Sequence, residues 1–307
     1  MSVYNFEGVD GAKLHALLTT FKVILFKKLL GAADHWTTQV AAVETITTKG
    51  DKVNVKAVER SAGVHEWVDE RQKALLAHFD YEINVKRWAN AISFDLDKLD
   101  DESENVGAYV PVIREMGDDF QEHKHQLVVD LVNNGFTAAK GLAPDGQFFF
   151  DTDHPLIDGT TQSNKGTAAF AAGSLYAALK DMTKFKRPNG LFANVRATHG
   201  LFPEALRSTV DSVIGKQFEA NGSDNKLYKR IEPIFDPRLD AVSETAWFLF
   251  DFSKEAKPIR MAKRREVTQD MDISEKFEKN RCSWGASARY NGGFGIWQTA
   301  WGSTGLA

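Results

Sequence analysis

The most constraining feature of the sequence is one long amphipathic run between Pro111 and Asn134. Its apolar residues recur at the three- and four-residue spacing of a single helix face. They are Val110, Ile113, Met116, Phe120, Leu127, Leu131 and Val132. Pro111 is tolerated in the first turn, and Asn133-Asn134-Gly135 is a credible stop. Such a helix is about 36 Å long, so we predict that it forms the backbone of a domain.

The remaining elements predict an α+β fold. A first helix begins after Asp10, repeats apolar residues at helical spacing from Leu14 to Leu29, and ends at Gly31. The strand patterns are grouped late in the chain, at 231–235, 246–252, 258–266, 281–290 and 294–301. Short strand-like pieces also occur between Thr37 and Val58. Helices and strands that are mixed in this way, with strands clustered late, are typical of α+β domains.

Two short segments in the first third of the chain alternate apolar with polar residues, as half-buried strands do. They are Glu82–Arg87 and Ala91–Leu96, separated by little more than Trp88, Ala89 and Asn90. We therefore predict a hairpin of these two segments. A two-stranded hairpin is marginally stable by itself, so it must lie on another surface, which a neighbouring molecule could provide.

Composition and charge exclude several classes of protein. The 307 residues carry a formal net charge of −4, which gives no strong basic field for gathering nucleic acid. A basic cluster at Lys263-Arg264-Arg265 favours a solvated strand or loop end, whereas Asp97–Glu104 is an acidic step. The single cysteine, Cys282, excludes an internal disulfide and a cysteine-based zinc site. We expect neither a signal peptide nor a membrane span, since lysines interrupt Phe21–Leu30.

The sequence contains none of the common catalytic signatures: no phosphate-binding loop, no dinucleotide-binding loop, and neither of the hydrolase motifs GxSxG and HExxH. One cluster could bind a divalent metal: Asp151, Asp153 and His154, completed by a distant His199 or Asp251. The same residue types also cap turns by bonding to backbone N–H groups. We favour this structural role for the cluster.

Histidines and aromatic residues elsewhere have structural interpretations. His123 and His125 stand two apart on the predicted long helix, so they point to different faces and are expected at the surface. Trp247, Phe248, Phe250 and Phe252 crowd one predicted strand. Because no Lys or Arg interleaves with these aromatic residues, a packed core is favoured over a base-stacking platform.

Three sequence elements follow one another in the first half of the chain: Glu66–Arg71, Ile83–Trp88 and Asp145–Pro155. Their order resembles that of the Mu-like major head subunit (gpT) family. Glu66–Arg71 is similar to that family's E-W-x-G-E-R element, with Asp69 where the family usually has Gly. Ile83–Trp88, leading to Leu99–Glu102, looks like the stretch that follows it. Asp145–Pro155 reads DGQFFFDTDHP and closely matches the family's D-G-x-x-F-F-D-T-D-H-P run. The series covers about the first half of the chain, and the second half agrees more loosely.

The resemblance implies the Hong Kong 97 type of capsid fold, with four parts. They are an N-terminal arm (1–57), an extended E-loop (58–97), a peripheral or P domain whose spine is the long helix (98–185 and 256–292), and an axial or A domain (186–255 and 293–307). E-loop residues expected to contact a neighbouring subunit are Trp67, Glu70, Arg71, Lys86, Arg87 and Trp88. Asp151, Asp153 and His154 would then fix a loop and catalyse nothing.

The resemblance also implies the partners. The chain would assemble with itself, through pentamers and hexamers, into an icosahedral shell around double-stranded DNA that it does not read. It would work with scaffold and portal proteins in the host bacterial cytoplasm, end in the virion, and need neither a cofactor nor a metal. Three alternatives stay open: an encapsulin-like compartment shell, a metal-dependent hydrolase, and a tail or connector protein.

Overall fold

The computed structural model describes residues 11–30, 35–45, 52–58, 78–96, 109–156, 159–187, 190–218, 222–272 and 276–306. The helices are α1 Gly11–Leu30, α2 Trp36–Val40, α3 Val110–Asn133, α4 Ala172–Thr183, α5 Arg207–Val210 and α6 Lys276–Lys279. The strands are β1 Ala41–Thr45, β2 Lys52–Val58, β3 His78–Asn84, β4 Lys86–Asp95, β5 His154–Pro155, β6 Thr161–Gln162, β7 Lys165–Gly166, β8 His199–Phe202, β9 Glu232–Phe235, β10 Trp247–Phe250, β11 Ile259–Asp272, β12 Arg281–Phe294 and β13 Ala300–Ser303. Short turns of 3-10 helix occupy Ala138–Lys140, Glu204–Leu206 and Trp297–Thr299, and a π-helical turn occupies Asp211–Gly215.

The two long predicted helices are confirmed. α1 ends one residue before Gly31, and the 24 residues of α3 begin one residue before Pro111. Pro111 therefore lies in the first turn of α3, where its missing N–H breaks no helical hydrogen bond. No helix among the described residues has the length and apolar content that crossing a membrane requires.

The strands form two larger sheets and two small ones. One sheet has four strands in the order β1-β11-β12-β4, and another has five in the order β7-β13-β10-β8-β9. β2 pairs with β3, and β5 with β6, as separate two-stranded sheets. The late strand patterns thus supply most of both larger sheets, which confirms the α+β prediction.

The predicted hairpin of Glu82–Arg87 with Ala91–Leu96 is wrong. β4 runs without a break through Trp88, Ala89 and Asn90 and pairs antiparallel with β12, from Lys86 opposite Tyr290 to Asp95 opposite Arg281. β3 ends at Asn84 and pairs instead with β2. The alternation of apolar and polar residues was therefore interpreted correctly as strand, but the partners lie far away in the sequence.

The described residues divide into two compact units. The first takes its described residues from Met1–Asp34, Val85–His125 and Lys263–Tyr290. The second takes them from His35–Asn84, Gln126–Ala262 and Asn291–Ala307.

In the first unit, α1 packs on the β4–β12 pair through aromatic side chains. The ring of Phe21 lies 5.6 Å from those of Phe94 and Trp284, and all three side chains are buried. α1 also lies close to α3, because a Cβ on Gly117 would come within 3.1 Å of the Lys28 side chain. Lys28 in turn forms a 3.0 Å ion pair with Asp118. Phe21 and Leu25 of this helix are thus buried within the first unit.

In the second unit, the core forms around the central strand β10. All four of its residues are buried, as expected of a strand covered on both faces. The Phe248 ring lies 5.4 Å from Phe150 and 5.9 Å from Phe136. A Cβ on Gly302 would come within 2.9 Å of the Phe150 ring, so only glycine lets these rings reach the sheet. The predicted aromatic core is confirmed.

We expect Phe21→Ala to lower the free energy of unfolding by about 3–5 kcal/mol, because it leaves a cavity where three rings meet. Val23 is a matched control on the same helix, since its side chain is 59% exposed. Val23→Ala should change stability by no more than about 0.5 kcal/mol. Chemical denaturation of the purified subunit measures both. Equal effects of the two substitutions would show that α1 does not pack as described.

Candidate functional site

The loop that carries the candidate metal ligands is centred on a buried histidine. His154 has no exposed surface, and its ring stacks on that of Trp297 with 4.1 Å between centroids. Its Nδ1 lies 2.6 Å from Oδ2 of Asp145, and its Nε2 lies 3.1 Å from Oδ1 of Asn164. Both ring nitrogens therefore face oxygen atoms of neighbouring side chains.

The orientation of Asn164 decides what His154 can do. The Asn164 amide Nδ2 donates to the carbonyl of Phe149 at 2.9 Å, and its Oδ1 accepts the backbone N–H of Asp151 at 2.9 Å. Because Oδ1 is an acceptor, the His154 Nε2 must donate to it. Nδ1 is paired with the Asp145 carboxylate on the other side of the ring. Both ring nitrogens are therefore engaged with side-chain partners of the loop.

The carboxylate of Asp151 also holds the backbone of the loop. Its Oδ1 accepts the N–H of Thr152 at 2.8 Å, and its Oδ2 accepts the N–H of Phe148 at 3.2 Å. These are the turn-capping contacts that were expected of an Asp here. Asp153, in contrast, is exposed and forms no hydrogen bond with the described residues. These bonds hold bends at Gln147, Phe149 and Phe150.

The two residues proposed to complete a metal site have other partners. His199 stacks on Phe252, and its Nε2 lies 3.2 Å from a carboxylate oxygen of Glu232. Burial lowers the pKa of His199, against the opposing effect of Glu232. Asp251 is buried and accepts the N–H of Arg196 at 3.0 Å. Within the described ranges, no group of three or more His, Cys, Asp or Glu side chains is placed to bind a metal ion.

The predicted inter-subunit residues fall into two groups. Trp67, Glu70 and Arg71 lie outside the described residues. Lys86 and Arg87 are exposed at the start of β4. The third described residue of this set, Trp88, is half-buried and has partners within its own unit.

Trp88 joins β4 to α3 and β12. Its ring lies 4.0 Å from that of His123, and its Nε1–H donates to the carbonyl of Tyr290 at 2.8 Å. His123 Nδ1 in turn lies 2.9 Å from the Tyr290 hydroxyl. Burial raises the pKa of that hydroxyl, which stays protonated. The prediction that His123 is a surface residue is therefore wrong, because the ring is half-buried between two aromatic side chains.

The β2–β3 ribbon is anchored at one end. The Tyr81 hydroxyl accepts the N–H of Phe294 at 2.9 Å, and the side-chain amide of Asn291 donates to the carbonyl of Asn84 at 2.7 Å. A Cβ on Gly293 would come within 2.7 Å of Ile83. The register then runs from Lys52 opposite Asn84 to Val58 opposite His78, about 20 Å of paired strand. Both strands pair only with each other in the described part of the chain.

Residues 14–174 and 237–306 match the model of the family described as Mu-like prophage major head subunit gpT. A similar curated protein is the Mu-like prophage FluMu major head subunit of Haemophilus influenzae, 26% identical over 282 residues, which are 90% of this chain and 68% of that protein. The major capsid protein of Escherichia phage Mu is 26% identical over 156 residues, 50% of this chain and 48% of that protein.

Solved structures with similar folds are capsid shells. The procapsid of bacteriophage JBD30 has a TM-score of 0.59 and 24% identity, and the match covers 96% of this chain and 76% of that one. A virus-like particle from Pyrococcus furiosus has a TM-score of 0.51 at 10% identity, covering 93% and 98% of the two chains. At these identities the likeness concerns the fold.

We expect Asn164→Ala to lower the free energy of unfolding by about 2–4 kcal/mol, because it leaves the Asp151 N–H and the Phe149 carbonyl without a buried partner. Asp153→Ala is the matched control in the same loop and should change stability by no more than about 0.5 kcal/mol. Thermal and chemical denaturation measure both substitutions. A larger effect of Asp153→Ala would contradict the description of this loop.

Proposed function

Because the chain belongs to the Mu-like prophage major head subunit family, it is a major capsid protein, and we propose that its copies assemble through pentamers and hexamers into a closed icosahedral shell around double-stranded DNA. Its fold is the Hong Kong 97 type of phage capsid proteins. The observation that carries the proposal is the family match, which includes residues of both compact units.

The β2–β3 ribbon, together with residues 59–77 that join its strands, is the extended loop that lies on a neighbouring subunit. This proposal narrows the expected E-loop of 58–97, since β4 is part of the four-stranded sheet. Two observations support it: the ribbon is fixed at its Asn84 end, and a two-stranded sheet needs a further surface for stability. Trp67, Glu70 and Arg71 fall in the joining residues and remain our candidates for the contact, whereas the ring of Trp88 packs within its own chain.

The other parts keep the roles expected from the family. The proposed P domain comprises residues 98–185 and 256–292, with α3 as its spine. The proposed A domain comprises residues 186–255 and 293–307. The proposed arm, 1–57, contains α1, whose Phe21 and Leu25 are fully buried within this chain. Because these two side chains of α1 are already buried within this chain, we expect the arm to contact a neighbouring subunit through residues outside α1.

The subunit has a structural role and no catalytic one. Support comes from the buried His154, both of whose ring nitrogens are engaged, which argues against the metal-dependent hydrolase. An encapsulin-like compartment shares the fold, but the family match separates the two. Scaffold and portal proteins are the expected partners, assembly takes place in the host cytoplasm, and the shell forms the virion head.

Shortening the ribbon tests how the subunits join. We expect a variant in which Asn-Gly replaces residues 59–77 to fold, since this turn suits a tight hairpin between β2 and β3. It should not form shells, because the loop no longer reaches its neighbour. Electron microscopy scores shells, and circular dichroism checks the fold.

A second variant separates length from chemistry by replacing 59–77 with a Gly/Ser linker of equal length. We expect this variant to fail as well, since it lacks Trp67, Glu70 and Arg71. Shells from the short-turn variant, at the yield of the unmodified chain, would contradict the role proposed for the ribbon.

A further inference from the structure

The second unit exposes a basic surface next to two apolar side chains. Residues 180–187 contain one acidic residue, Asp181, and four basic ones, Lys180, Lys184, Lys186 and Arg187. Their net charge is therefore +3, whereas the whole chain has a net charge of −4. Three lysines, Lys165, Lys184 and Lys186, line a cleft of about 360 Å³. Asp181, which pairs with Lys184 at 3.4 Å, also lines the cleft, together with polar groups such as Gln162 and Ser163. The cleft therefore suits an acidic partner.

The adjoining hairpin strands, residues 185–187 and 190–193, present apolar side chains to solvent. Leu191 is 49% and Phe192 58% exposed, and a β-bridge sets Phe192 opposite Lys186. The hairpin is held firmly at its base. The Gln162 side chain bonds both the N–H and the carbonyl of Lys186, at 2.8 and 3.3 Å, and Phe185 is buried against Trp297. Leu191 and Phe192 are therefore exposed next to a hydrogen-bonded backbone, as at a protein interface.

The sequence holds a segment of matching chemistry. Residues 95–104 contain six acidic residues and one lysine, a net charge of −5, and they carry Leu99 among the acidic side chains. The basic surface has the complementary combination of lysines and exposed apolar groups. The contacts of a shell repeat at each subunit, so even weak ion pairs add up through the whole assembly.

We propose that the basic surface, formed by Lys165, Lys184, Lys186 and the exposed Leu191 and Phe192, binds the acidic segment 95–104 of a second copy of this chain. Such a contact joins two different surfaces, so it repeats head to tail and closes into rings. This inference rests on the proposed shell function and names one of its inter-subunit contacts. Opposite charges fix the register, and the apolar side chains supply burial.

Charge reversal on each side tests the contact. The basic-surface variant carries Lys184→Glu and Lys186→Glu, which changes the net charge of residues 180–187 from +3 to −1. The acidic-segment variant carries Asp100→Lys, Asp101→Lys and Glu102→Lys, which changes the net charge of residues 95–104 from −5 to +1. Lys184 is an exposed side chain in a surface ion pair with Asp181, so its replacement should leave the fold intact. Each variant by itself opposes like charges, and we expect its assembled fraction to fall by about tenfold or more, measured by sedimentation and electron microscopy.

Mixing the two variants in equal amounts should restore assembly, because alternating subunits again oppose unlike charges at every contact. A hexamer can alternate perfectly and a pentamer cannot, so we expect a single chain that carries all five substitutions to assemble better than the mixture. Restoration in the mixture also shows that the contact joins two copies. Restoration only in the chain with all five substitutions would place the contact within one copy and overturn the proposal.

A matched control reverses two other exposed lysines of the same unit, Lys216→Glu and Lys226→Glu. We expect it to assemble as the unmodified chain does. Equal loss in this control would make total charge the cause and overturn the proposal. The proposal would also be overturned if basic-surface variants formed shells at full yield but packaged less DNA, because the lysines would then bind nucleic acid and not a second subunit. If the unmodified chain also fails to associate beside its scaffold, the proposed function fails together with this contact.

Discussion

The antiparallel pairing of β4 with β12 is the interaction on which the first compact unit depends. It joins residues 86–95 to residues 281–290, so an early and a late part of the chain form one surface. Alternate residues of β12, from Cys282 to Tyr290, are buried on one side of this surface. Phe21 of α1 and His123 of α3 contact that side through Trp284 and Tyr290. Without the pairing, neither helix would have a sheet on which to pack its apolar face.

The same pairing explains where sequence analysis succeeded and where it failed. α1 and α3 were predictable because their apolar spacing and end signals are local properties of the sequence. β4 was recognised as a strand by its alternation, but alternation does not identify the partner strand. Loop closure over about 200 residues costs only slightly more entropy than over 100, so burial of Trp284 and Phe94 decides the pairing. The sequence contains no local sign of that burial.

The loop around His154 follows the same rule. The run from Asp145 to Pro155 identified the family and suggested turn-capping carboxylates, and Asp151 has that role. The other determinants, Asn164 and Trp297, come from later parts of the chain and were not predictable from spacing. Only their positions show that both nitrogens of His154 are engaged, and this separates a fixed structural loop from a metal site. Trp88 illustrates the limit again. Its inter-subunit contact, which the resemblance suggested, stays a prediction, whereas its packing against His123 could not be predicted from spacing.

Shell formation unites these features. In the proposed shell, the anchored β2–β3 ribbon and the basic surface with its exposed Phe192 are the parts of each subunit that we propose to contact other copies. The most direct test is the mass and shape of the purified full-length protein, measured by light scattering and electron microscopy with and without its scaffold. The account predicts closed shells, or pentamers and hexamers that become shells when scaffold is added. Open tubes, single rings or a monomer that persists beside the scaffold would contradict it.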